Sequence, residues 1–413
     1  MAFEVSRRNF LKATGTAASV AGSVRSMPGA NDRIGIGIIG TGGRGKYLAR
    51  RLKEVGGNQI LAVCDVYDVR RDEAAGLIGG SVRTYVDHRE LLERKDIDAV
   101  VIATLDNTHA PVTIDALNAG KDVYIEKPMV HKPQDGLAVV SAARANRRIV
   151  QVGVNQRSGP HYVEAKQRII DAGMLGHIGL VRTWIDGNSG YTFAAPPGME
   201  KKPDGLDWDR YLGPLPHIPW DPDRYFSPFK YWDLGGGQVM GIMIHMLDNV
   251  HWYLGLEKPI AAVAAGGIYH FDDGRDTPDV ITVTLEYPQK VAVTWESEIL
   301  VTGIREFPTA GMEFHGTKGV LTVYRERGQN LFGYTFLPNP KQTSAGQMAG
   351  PFYPTEADPH LRNWLECIRS RQKPVADEVS GHYSAVACYM GNLAWRNKTR
   401  IEWNSAWEVP APA

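Results

Sequence analysis

The chain has 413 residues, 43% of them hydrophobic and 22% charged, enough apolar material for two compact cores and too much for a disordered or fibrous protein. Its 46 Lys and Arg balance its 46 Asp and Glu, so no overall field draws in nucleic acid or acidic lipid, and a small-molecule partner is expected. The three cysteines, Cys64, Cys367 and Cys388, contain no C-x-x-C pair, which argues against both a zinc knot and a disulfide framework.

At the N-terminus, "SRRNFLK" (Ser6 to Lys12) precedes the mildly apolar run "ATGTAASVAGSV" and resembles a twin-arginine export signal occupying residues 1–30. That resemblance implies the twin-arginine export machinery as a partner and a periplasmic or otherwise exported location. Because the route carries folded proteins, a cofactor loaded in the cytoplasm would travel with the chain. No apolar run reaches eighteen residues, so no stable membrane insertion of the mature chain is expected.

Next, "RIGIGIIGTGGRGKYLARRL" reads as a buried strand running into a helix, with Gly40, Gly42 and Gly45 in G-x-G-x-x-G spacing and Gly43 and Arg44 between them. The first glycine allows the tight turn, the second lets backbone approach a pyrophosphate, and the third lets helix pack closely on strand. A second strand, "QILAVCDV", ends at Asp65, where a carboxylate would bond the ribose hydroxyls of NAD and repel a 2′-phosphate. NAD is therefore favoured, with Arg70 and Arg71 keeping NADP open.

The alternation continues: a strand ends near Thr104, a helix spans roughly 110–119, and a further strand enters Glu126-Lys127-Pro128. Such alternation implies a doubly wound parallel sheet over residues 31–150. Ligands of these sheets sit beyond the carboxyl ends of the strands, which is where Thr104, Asn107, His109, Glu126 and Lys127 fall.

Four separated motifs, "GIIGTGGRG", "NTHAPVTIDALNAGKDVYIEKP", "VQVGVNQRSGP" and "YWDLGGGQVMGIMIHMLD", follow one another as in the Gfo/Idh/MocA oxidoreductases, which this chain resembles. The resemblance implies an N-terminal NAD(P)-binding Rossmann domain and, over 151–413, a substrate-binding α/β domain whose large, open, mostly antiparallel sheet forms a homo-oligomer, dimer or tetramer. It also implies that Lys127 hydrogen-bonds the reacting oxygen and manages its proton. Chemistry agrees, since a carbinol losing hydride needs a cation or base at its oxygen.

Many members of that family carry an Asp and a His four residues apart, on one helix face. Here His245 matches the histidine and Gly241 replaces the aspartate. His245 in concert with Lys127 is the preferred acid/base reading, with Asp233 and Asp186 as candidates to supply the missing carboxylate and Asp248, three residues after His245, as a group that could orient its ring. No histidine spacing suits a metal site, and none is expected.

Beyond residue 150, Asn155 and Arg157 in "NQRSGP", together with Asp233 and His245, are the candidate substrate contacts. Residues 189–232 are rich in proline and aromatics without a clear period, and read either as a packed insertion or as a lid. Alternating segments around Pro288-Gln289 and Thr317-Lys318-Gly319 read as hairpins, and two amphipathic helices near the C-terminus are expected to cover this domain and return to the first.

The leading expectation is an NAD-dependent oxidoreductase moving hydride between nicotinamide and a carbinol of a sugar, glycoside or polyol. One alternative is a redox-neutral enzyme that recycles tightly bound NAD, as an epimerase, a glycoside-eliminating enzyme or a paired-substrate oxidoreductase. Another is a non-catalytic sugar-binding protein, since loss of the carboxylate at 241 is how one would begin.

Overall fold

The computed structural model describes residues 33–186, 193–300, 310–326, 331–350 and 357–411. The twin-arginine stretch lies outside them.

Six short strands, β1 (Ile34–Ile39), β2 (Asn58–Cys64), β3 (Arg83–Tyr85), β4 (Ala99–Ile102), β5 (Asp122–Ile125) and β6 (Val150–Val152), form a parallel sheet in the order β3-β2-β1-β4-β5-β6. β1, β4, β5 and β6 are buried along their whole length, as strands covered by helices on both faces must be. The helix after β4 begins at Asp106, four residues ahead of the sequence expectation, and carries Pro111 inside it. The proline removes one helical N–H but does not delay the start of the helix.

A second, nine-stranded sheet is built from β7 (Ile178–Ile185), β8 (Ala261–Gly267), β9 (Val280–Tyr287), β10 (Val291–Glu298), β11 (Ala310–Gly316), β12 (Gly319–Glu326), β13 (Leu331–Pro338), β14 (Met348–Ala349) and β15 (Ile401–Glu402). Its order is β14-β13-β12-β11-β7-β10-β9-β8-β15, antiparallel throughout except for the β7–β10 pair. The expected hairpins are β9–β10 and β11–β12. Burial alternates along β9 and β10, so one face packs on helices and the other is open.

The C-terminal helices tie the two halves together. Leu361, Trp364 and Leu365, on the helix Ala357–Ser370, share a core cluster with Ile36, Leu48 and Leu52 of the first sheet and its helix. Helix Glu378–Asn397 packs against both the helix Pro133–Asn146 and β8.

From residue 193 on, the proline-rich segment is a packed strap. Leu206, Trp208, Leu212 and Tyr225 form their own small core, with Val66 and Tyr67 of the first sheet's loop packed against it. Tyr67 and Leu206 form a β-bridge, and Asp207 N donates to Val66 O at 2.9 Å. Trp208, Tyr211, Trp220 and Tyr225 therefore bury one another beside the loop after β2, as a packed insertion does.

Candidate active site

The glycine loop has the close approaches its spacing demands. Gly40 has φ of +86°, and a Cβ on Gly45 would stand 1.9 Å from the Gly40 carbonyl oxygen, so neither position accepts a side chain. At Gly43, where the helix Gly43–Val55 begins, a Cβ would meet nothing within 4 Å. A helix N-terminus bordered by open space and without an acidic residue in its first turn suits a pyrophosphate.

Asp65 braces this loop. Its Oδ2 accepts from Thr41 N at 2.7 Å and Thr41 Oγ1 at 3.1 Å, while Oδ1 accepts from Tyr67 N at 3.0 Å. A carboxylate has roughly four acceptor positions, so three bonds leave one for a ribose hydroxyl. Arg71 donates to the Asp65 carbonyl at 2.9 Å, and the Arg70 guanidinium lies 4.7 Å from the centroid of the Tyr225 ring. Both arginines that kept NADP open are thus engaged within the protein.

At the ends of β4 and β5 the polar groups are arranged differently. Arg44 Nε and Glu126 Oε1 pair at 2.7 Å, tying the glycine loop to β5. Gly153 crosses directly above that pair, where a Cβ would stand 2.9 Å from the Glu126 carboxylate. His109 Nδ1 donates to the Pro128 carbonyl at 2.7 Å, and burial pushes its imidazole pKa below the ordinary value. Asn107 Nδ2 donates to Leu212 O of the strap at 3.0 Å.

Three buried atoms in this corner, Thr104 Oγ1, Asp106 Oδ2 and Asn107 Oδ1, have no hydrogen-bond partner among the described residues. Buried polar atoms in native folds are rarely left so, and three together mark a place that a ligand completes. Burial raises the Asp106 carboxyl to about 7; Lys127 nearby pulls it down and Glu126 pushes it up.

Lys127 Nζ donates to the Gly241 carbonyl at 2.7 Å, and the Phe229 ring lies beneath the amine at 5.7 Å. This answers why residue 241 is glycine: a Cβ there would stand 2.3 Å from Phe229 Cε1. The ring occupies the space of an aspartate side chain. The segment also departs from a plain α-helix. Val239–Met243 is a π-helical turn leading into the α-helix Ile244–Leu254, so the four-residue spacing from 241 to 245 no longer stacks the two positions on one α-helical face. His245, partly buried, lies in the first turn of that helix, and its carbonyl accepts from Asn249 Nδ2 at 2.8 Å. Lys127 is thereby anchored one turn ahead of His245.

Several other expected contacts have partners within the protein. Arg157 is buried and grips Asp248 with two bonds, Nε to Oδ2 at 2.7 Å and Nη2 to Oδ1 at 2.8 Å. Ser384 also donates to Asp248, at 3.0 Å. Arg157 is therefore an internal strut whose guanidinium is turned to Asp248 and to the Val375 carbonyl, and Asp248 serves it instead of orienting His245. Asp233, half-exposed, accepts twice from Arg224 Nη1, at 2.8 and 2.9 Å, so the carboxylate proposed to repair the dyad is neutralised on the rim. Asn155 opens the short 3₁₀ turn Asn155–Ser158, whose Gln156 accepts from Asn249 at 2.6 Å. Asp186 sits just past the end of β7 with one buried carboxylate oxygen.

Comparison with known proteins decides the family. Residues 34–154 match the description "Oxidoreductase family, NAD-binding Rossmann fold", and residues 210–322 match the GFO/IDH/MocA C-terminal domain, together more than half of the chain. The chain belongs to the GFO/IDH/MocA family of oxidoreductases. An inositol 2-dehydrogenase of Saccharopolyspora erythraea is 26% identical over 90% of this chain and 96% of its own. An inositol 2-dehydrogenase of Salmonella typhimurium is 35% identical over 144 residues, which are 35% of this chain and only 41% of the relative. Among solved structures, levoglucosan dehydrogenase in complex with NADH and levoglucosan superposes with a TM-score of 0.69 at 18% identity, covering 92% of this chain and all of the other. That last likeness is one of fold.

As a GFO/IDH/MocA member, this chain hides three features from motif reading. Asp106 lies two residues after Thr104 on the same ligand-facing edge, and its position in the sequence is the signal that marks it. The Phe229 ring in the slot at 241 and the Arg70–Tyr225 stack join residues far apart in the chain, and no local pattern announces them.

Proposed function

We propose that this protein is an NAD-dependent oxidoreductase acting on a carbinol of a polyol or sugar, with Lys127 at the reacting oxygen and His245 as a second proton-handling group. The observation that carries the reading is the placement of the Lys127 amine on the Gly241 carbonyl, one turn before His245 and beside the unpartnered Thr104, Asp106 and Asn107 atoms, in an NAD-binding fold. The inositol dehydrogenases among its relatives support a polyol.

The residues present fit the nucleotide. The Gly40–Gly45 loop and the first turn of its helix would hold the pyrophosphate, Asp65 the ribose hydroxyls, and the corner of Thr104, Asn107 and Glu126 the nicotinamide end. Bound there, NAD supplies a hydride acceptor. Lys127 binds the substrate oxygen, stabilises negative charge developing on it and takes its proton, while the Gly241 carbonyl and Phe229 fix the amine in place. His109, held by Pro128, keeps the Lys127–Pro128 turn in position. With Arg157 and Asp233 engaged elsewhere, Asn155 and His245 remain the proposed hydroxyl readers.

The strap favours a second reading, in which the nucleotide stays bound and is recycled. It is stitched to residues 66–68 beside Asp65, and Arg70 reaches from Tyr225 to within 3.4 Å of where a Cβ on Gly42 would lie. Export by the twin-arginine route, where free NAD is scarce, fits the same reading, and the open face of the second sheet suits pairing with another copy of the chain.

The test exposes purified protein to a panel of cyclitols, sugars and glycosides with and without added NAD, following NADH and carbohydrate products. NADH beyond one equivalent per protein establishes an exchangeable dehydrogenase. Product with NADH at or below one equivalent establishes recycling, and binding without any product would leave a sugar-binding protein.

A further inference from the structure

We propose that Asp106 is the carboxyl partner of the reaction centre, taking over through Lys127 the proton role for which residue 241 has no side chain. This rests on the oxidoreductase reading above.

Two observations make the vacancy and one fills it. At 241 no carboxylate fits, because the Phe229 ring stands where its Cβ would be. Asp233 and Asp248, the two acids that flank residue 241 in the sequence, are held by Arg224 and Arg157. Asp106 is a buried acid on the same edge as Lys127 whose Oδ2 no described residue bonds. The sheet brings the two together: β4 and β5 are adjacent, Ile102 pairs with Ile125, and Glu126 N donates to the Ile102 carbonyl at 2.9 Å, so Asp106 and Lys127 leave neighbouring strand ends.

The charged groups facing Asp106 are Lys127 and Glu126, both from the end of β5, and Glu126 is paired in turn with Arg44. His109, on Asp106's own helix, is held neutral by burial. Among the described residues, Lys127 is the cation beside Asp106, and no carboxylate is paired with it there. Burial has raised the Asp106 carboxyl to about 7, so it gains and loses a proton near neutrality, as a proton partner at working pH must.

The proton balance is simple. As the carbinol gives up its C–H hydrogen as hydride, the Lys127 ammonium would hand one of its protons, through a bridging water, to the Asp106 carboxylate, which becomes a carboxylic acid, and would take the proton of the breaking O–H bond in its place, so that the lysine ends as it began. In the reducing direction the same steps run backwards. Asp106 acts through Lys127, so it is a positioning and proton-holding residue.

The test reads the carboxyl itself in the full-length resting protein. The infrared difference between wild type and Asp106→Asn should show a protonated-carboxyl band that fades as pH rises through about 7. Lys127→Met should move that midpoint up by about one pH unit or more, because the cation that lowers it is gone, and Lys127→Arg should leave it near the wild-type value. On a substrate that is turned over, Asp106→Asn should remove one limb of the kcat/KM pH profile with NAD affinity unchanged. A missing band, a midpoint indifferent to Lys127→Met, or an unaltered pH profile would overturn the pairing. Absence of turnover in the wild type would instead sink the oxidoreductase reading, and is seen separately from the infrared result.

Discussion

At the mouth of β1 and β2 the polar groups answer one another, whereas at the mouth of β4 and β5, on the same edge of the same sheet, bonded groups such as Glu126 and Lys127 stand beside buried oxygens that no described residue bonds. Asp65 accepts three bonds from its own loop, Arg71 holds its carbonyl, and Arg70 stacks on Tyr225. Thr104, Asp106 and Asn107 instead each leave a buried oxygen without a partner among the described residues. The first mouth is a finished scaffold, rigid before any ligand arrives. The second leaves buried oxygens unbonded, at a cost to the fold, and under the proposed function these are the groups that a ligand would satisfy.

Several substitutions would break or sharpen that contrast. The largest effect is expected from Lys127→Ala, which should lower kcat/KM by about 10³-fold while NAD affinity, measured by calorimetry, changes by less than about threefold. Arg157→Leu should cost about 3 kcal/mol in urea unfolding, because it strands Asp248 as a buried, unpaired carboxylate, and its effect on KM should be small. Gly241→Asp should cost about 2 kcal/mol by driving a side chain into Phe229, and adding Phe229→Ala in the same chain should recover most of that loss.

Asp106 gives a pH-dependent difference. Its folded pKa of about 7 lies above its ordinary value of 3.8, so the native state binds more protons across that window and loses stability as pH rises through it. Asp106→Asn lacks this loss, and the stability gap between the two proteins should move toward the variant by on the order of 4 kcal/mol between about pH 4 and pH 8. The smallest effect is expected from Tyr225→Ala, which removes the Arg70 stack and should speed NAD release, read by stopped-flow fluorescence, by a few-fold.

What could be read from the sequence follows the range of the interactions. The glycine loop, the six-stranded parallel sheet and the two hairpins are set by turns and periodicities a few residues long, and those were legible. Lys127, His109 and Glu126 could be placed because strand ends in such sheets point at the ligand. The role of Arg157 could not, since its partner lies 91 residues away and only folding turns an exposed-looking cation into a buried strut. Gly241 looked like a lost catalytic residue because its occupant, Phe229, precedes it across a glycine turn and a π-helical turn that no local pattern revealed. Asp106 was visible as a residue but not as a raised carboxyl, because its pKa is created by burial that exists only in the folded protein.

The most direct measurement uses a cyclitol or sugar carrying deuterium on its carbinol carbons, incubated with NAD and either wild-type protein or Lys127→Ala. Deuterium should reach C4 of the nicotinamide with the wild type, or scramble between carbohydrate molecules if the nucleotide is recycled, and should do neither at a measurable rate with the variant. Label that stays on its original carbon with the wild type across the whole panel, or that moves equally well without Lys127, would contradict the assignment of this corner as an oxidoreductase active site.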